Sequence, residues 1–103
     1  MRIIKELEEM IEKNLKGAED AIHRANLYKD AKPALAKTFF ELSTDKMRHV
    51  NMLHDAVVKE IEDYQKQHGN PPEAMQAIYD WVHEKDIQYA TEIKAAQAMF
   101  RGA

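Results

Sequence analysis

Apolar residues recur every three or four positions along three long stretches of the chain, and polar residues fill the gaps. In the first stretch, Ile4, Leu7, Ile11, Leu15, Ala18, Ile22 and Ala25 keep this spacing. It matches a helix of 3.6 residues per turn that buries one face, and predicts a helix over 3–28. The second stretch places Ala36, Phe39, Phe40, Ser43, Met47, Val50, His54, Val57, Ile61 and Tyr64 on one arc and predicts a helix over 33–68. At a rise of 1.5 Å per residue it would be about 54 Å long. The third carries Met75, Ile78, Tyr79, Val82, Asp86, Tyr89, Ala90, Ile93, Ala96, Gln97 and Phe100, and predicts a helix over 72–100. Ser43-Thr44 is the weakest helical spot in the second element and the expected place for a bend.

The segments between these stretches are short. Lys29-Asp30-Ala31-Lys32-Pro33 ends the first helix, because proline restricts the residue before it and suits the first turn of the next. In Gly69-Asn70-Pro71-Pro72-Glu73, Gly69 suits the left-handed position that ends a helix. Asn70 is the expected cap of the third helix, Pro71 fits its first turn, and Glu73 stands where a capping-box acid belongs. Glu9–Lys13, Glu12–Lys16 and Asp20–Arg24 are spaced to pair along one helix, acid before base. Gly17 inside the first helix costs about 1 kcal/mol relative to alanine; it reads either as a place of close helix contact or as a tolerated residue. Short links between long helices imply antiparallel neighbours. The expected fold is a single all-α domain, 1–103, an up-down-up bundle of three long antiparallel helices.

Charge and composition narrow the function classes. Fifteen Lys and Arg are interspersed with eighteen Asp and Glu, a formal net charge of −3. No basic face is available for a nucleic-acid backbone. No apolar run approaches the roughly 20 residues of a membrane span. The early charges of Met1-Arg2-Ile3-Ile4-Lys5-Glu6 do not read as a secretory signal, so a cytoplasmic location is expected. The chain has no cysteine, which excludes disulfides, zinc–thiolate sites and thiol catalysis. Neither a glycine-rich phosphate loop nor a nucleophile–base–acid set is present, so no catalytic residue is assigned.

Polar residues on the inward arcs remain. At 100° per residue His54 falls at the centre of the second arc, Asp86 within the third, and Asn14 on the inner face of the first. Lys46 and His49 lie on one shoulder of the second arc, and His83 on the edge of the third. A carboxylate and an imidazole on neighbouring helices can bind a metal, exchange a proton or form a structural pair. Phe39, Phe40, Met47, Met75 and Phe100 read as core, and His23 and His68 as surface. Trp81, Met99, Met52 and Leu27 point outward.

Three stretches resemble the ferritin-like superfamily, which includes rubrerythrins and small bacterial relatives. They are FFELSTDKMRHVNMLH from Phe39 to His54, IEKNLKGAEDAIHRA from Ile11 to Ala25, and YDWVHEKDIQYA from Tyr79 to Ala90. The resemblance implies a dinuclear iron or manganese site in a four-helix bundle, with a Glu from each of two helices and Glu-x-x-His from each of the others. His49 matches the motif's histidine, but Lys46 stands at its glutamate and Asn14 where a ligand Glu is expected. No second Glu-x-x-His follows. The remaining candidate ligands are His49, His54, Asp86 and Glu19, with Asp45 nearby, and the implied site is degenerate. Lys46 then suggests a pair with Asp86, side-chain charge standing in for metal charge.

The expectation is a non-enzymatic, self-associating bundle that needs no cofactor. The alternatives are a protein binding iron or manganese through those four residues, and an adaptor for another protein. A homodimer is expected, with Trp81, Met52 and Leu27 at its interface.

Overall fold

The computed structural model describes residues 1–102, nearly all of them in three helices or the two short links that join them. α1 is Arg2–Tyr28, α2 is Pro33–His68 and α3 is Glu73–Phe100. The molecule measures 55 × 18 × 17 Å, so the 36-residue α2 runs its whole length. Among the described residues no helix is long and apolar enough to cross a membrane.

The first arc is the heart of the core. Ile4, Ile11, Leu15, Ala18, Ile22 and Ala25 are buried on α1, joined by Ala36, Met47, Val50 and Val57 of α2. From α3 only Ile93 and Gln97 are fully buried. Burying a side chain such as Ile11 or Leu15 stabilises by about 1.5–3 kcal/mol, so α1 and α2 form the firm pair and α3 rests on it. Tyr28 stacks on Phe39 with ring centroids 6.2 Å apart, and the Ser43 hydroxyl reaches Ala18. Asn26 Nδ2 donates to the Ala96 carbonyl at 3.1 Å, and the Met1 nitrogen to Tyr79 Oη at 3.3 Å. A Cβ on Gly17 would stand 2.9 Å from Lys46 Cδ, so the glycine makes room for the lysine stem.

α2 continues as one helix through Ser43-Thr44. Ser43 Oγ donates to the Ala18 carbonyl at 2.8 Å instead of to its own helix, and accepts from Gln97 Nε2 at 3.0 Å. The hydroxyl that would disturb α2 is used between helices. Asn70 does not cap α3, which starts at Glu73 with Pro72 before it and no side-chain cap. The second proline keeps Pro71 out of helical geometry, and Pro72 itself is extended at φ −52°, ψ 146°. Gly69 has φ +76° and donates to the Gln65 carbonyl at 2.9 Å, a conformation glycine reaches without strain.

The surface pairs also differ from the expected ones. Lys16 Nζ lies 3.8 Å from both Glu19 and Asp20 rather than pairing with Glu12, Arg24 donates to the Asp20 backbone, and Glu9 and Lys13 stand apart. Exposed pairs are worth about 0–1 kcal/mol, too little for spacing alone to select one partner.

Candidate functional site

The α2–α3 face is the loosest in the molecule. Below the α2–α3 turn, the start of α1, the last half of α2 and the first half of α3 enclose a groove of about 1060 Å³. Its walls are mainly apolar: Ile4 of α1, Val57, Val58 and Ile61 of α2, and Met75, Ile78, Tyr79 and Val82 of α3. His54 and His83 bridge its inner end, stacked with ring centroids 4.9 Å apart. Ile78 is 61% exposed and Val58 41%, so apolar surface of both walls faces water.

Glu8 lies in the same groove. Ile4, Glu8, Ile11, Leu15, Ala18, Ile22 and Ala25 step by four and three, so Glu8 occupies a core position of α1. Its carboxyl meets that of Asp86 on α3. Glu8 Oε2 is buried and lacks a partner while both groups are ionised. A proton resolves this, since a protonated carboxyl donates to a carboxylate. Burial first, then the hydrogen bond and charge of Asp86, then the charge of Glu12, raise Glu8 from 4.5 to about 7. Farther along, burial pushes the Tyr89 phenol up to about 12, with the hydrogen bond and charge of Glu19 adding to it.

The residues expected as metal ligands lie at different places. His49 is exposed, with Nε2 3.4 Å from Arg48 Nη2. Asp45 is exposed and 3.9 Å from Arg48 Nε. Glu19 is half-buried near Lys16 and Tyr89. His54 is half-buried against His83, and Asp86 against Glu8. Asn14 spends its amide on the Met10 carbonyl of its own helix, at 2.9 Å. Among the described residues no three His, Asp or Glu side chains form a group that could hold a metal ion.

Lys46 and Asp86 do not pair. Lys46 lies at the level of Gly17 and Asp86 at that of Glu8, nine residues apart on α1 or about 13 Å, beyond the reach of a lysine stem. The outward positions are as expected: Leu27 is 72%, Met52 59% and Trp81 62% exposed. Lys85 Nζ sits 4.4 Å over the Trp81 ring, which covers part of that face.

The site thus combines a carboxyl raised by burial and by Asp86 with a mainly apolar groove. No protein-family model matches the chain, and no curated protein or solved structure matches it either.

Sequence reading overlooked Glu8 because Leu7, its neighbour, also fits a helical stripe. The unbroken four-three spacing through Glu8 was the signal. His83 on the edge of its arc gave no sign of its stack on His54.

Proposed function

We propose that the chain is a non-enzymatic, self-associating protein of the cytoplasm, an up-down-up bundle of antiparallel helices with ferritin-like ancestry and a degenerate metal site. The observation that carries self-association is the groove between α2 and α3, where Ile78 and Val58 stand in water beside apolar walls. Apolar surface left exposed costs about 25 cal/mol per Å², and a second copy covers it at no cost in new sequence. The antiparallel order is supported by contacts that climb α1 from Ala18 to Tyr28 while descending α2 from Ser43 to Phe39. The degenerate site is supported by Lys46 and Asn14 at the resemblance's ligand positions.

Sedimentation equilibrium tests the reading. A homodimer at micromolar concentration is expected, and a chain that stays monomeric well above that concentration refutes it. Trp81→Ala reports on the outward face. A loss of about 1–3 kcal/mol in association makes Trp81 an anchor. An indifferent dimer removes Trp81 from the interface and leaves the groove.

A further inference from the structure

We propose that two copies pair through the outward faces of their α3 helices, running antiparallel, with Trp81 against the partner's Met99. The inference rests on the self-association proposed above and gives it a surface and a direction.

Three observations point to a second copy in this orientation. The first is the face itself. Trp81 is 62% and Met99 65% exposed. Eighteen residues, or five full turns, separate them, so they stand on one face of α3 about 27 Å apart. Glu84, Gln88, Thr91 and Ala95 keep a spacing of three and four between them and are exposed as well. That is the repeat by which one helix lies along another. A two-fold axis near residues 89 and 90 brings each Trp81 to the partner's Met99, where sulfur meets ring. Lys85 covers one face of the Trp81 ring and leaves the rest in water.

The second observation is the change of charge along α3. Its exposed acids Glu73, Asp80 and Glu84 precede the middle with one cation, Lys85. Lys94 and Arg101 follow it with one acid, Glu92. The register that joins Trp81 to the partner's Met99 also brings Glu84 to the partner's Lys94 and Lys85 to the partner's Glu92. Among the described residues none of these four has an ion pair within its own chain. A parallel pair would instead set every charge beside its own copy, which is repulsive.

The third is the polarity of the whole rod. The end built from residues 22–44 and 90–102 carries six Lys and Arg against three Asp and Glu. The end built from residues 1–12 and 55–85 carries eleven Asp and Glu against five Lys and Arg. Antiparallel copies place the basic end of each beside the acidic end of the other. The two acidic ends then lie far apart along a 55 Å molecule, well beyond the screening length of about 8 Å at physiological salt.

The native chain has no cysteine, so introduced ones report alone. Glu84→Cys and Ala95→Cys chains are prepared separately, mixed and oxidised. In the antiparallel register these positions face each other, while each lies roughly 16 Å along the axis from its own copy. A Glu84–Ala95 link about ten-fold more abundant than a Glu84–Glu84 or an Ala95–Ala95 link is expected. Circular dichroism of each variant checks that its helix content is unchanged. As a second measure, Glu84→Lys should raise the dimer dissociation constant about ten-fold, and adding Lys94→Glu should return it to within about three-fold of wild type.

An excess of links between like positions, no link at all when the wild type dimerises, or no rescue by Lys94→Glu overturns the α3 contact and leaves self-association standing. A wild-type chain that is monomeric in sedimentation overturns both.

Discussion

Replacing Glu8 with glutamine should abolish a pH dependence of stability that the wild type carries between about pH 4.5 and 8. The Glu8 carboxyl is raised from 4.5 to about 7, chiefly by burial. A folded-state value above the unfolded one means that the folded chain holds the proton more tightly. The contribution is complete below pH 4.5, declines as pH rises through 7, and is gone above about 8. A shift of about 2.5 units at 1.36 kcal/mol per unit gives an upper limit of about 3.4 kcal/mol. The side chain is only partly buried, and solvent screening reduces this to about 1–2 kcal/mol.

Glutamine keeps the shape and donates to Asp86 at every pH. Glu8→Gln should therefore match the wild type near pH 5 and exceed it by about 1–2 kcal/mol at pH 8. For a chain of this size that is a rise in Tm of roughly 4–16 °C. Urea unfolding followed by circular dichroism at pH 5, 6, 7 and 8, at one fixed protein concentration, measures the difference. Stability curves that run parallel across this range, or a variant weaker than wild type at pH 8, would falsify the shared-proton reading.

Ser43→Ala leaves the Gln97 amide and the Ala18 carbonyl without their common partner, and should lower stability by about 1–3 kcal/mol in the same unfolding assay. Loss of less than about 0.5 kcal/mol would mean that water replaces the hydroxyl. Lys46→Glu combined with Asn14→Glu should raise iron or manganese uptake above that of the wild type, measured by metal analysis after dialysis. No gain counts against ferritin-like ancestry.

Most of the helical layout could be read from sequence because the stripes are long and sharply punctuated. Pro33 opens α2 and Gly69 closes it where their chemistry requires. The start of α3 falls at Glu73 against an expected 72, but its cap could not be read the same way, since the capping signal of Asn70 competes with two prolines and the prolines prevail. Periodicity also assigns a face without fixing how closely the next helix approaches. His54 lies at the centre of its arc yet is only half-buried, because α3 offers it the His83 ring in place of a packed apolar wall. Lys46 and Asp86 share inward-facing arcs, and only the axial offset of α2 and α3 along α1 separates them. That offset depends on contacts such as Ser43 to Ala18, which no single-helix pattern encodes.

The knot formed by Ala18, Ser43 and Gln97 also makes the rod a lever. It ties α3 near one end, while Ile78 lies nineteen residues away on the same helix, about 28 Å along its axis. With the knot as fulcrum, a tilt of about 5° in α3 moves Ile78 by roughly 2.5 Å. The Met1–Tyr79 hydrogen bond, the His54–His83 stack and the Glu8–Asp86 contact stand at the far end of that lever, where they oppose such a tilt with the longest arm and hold the width of the groove.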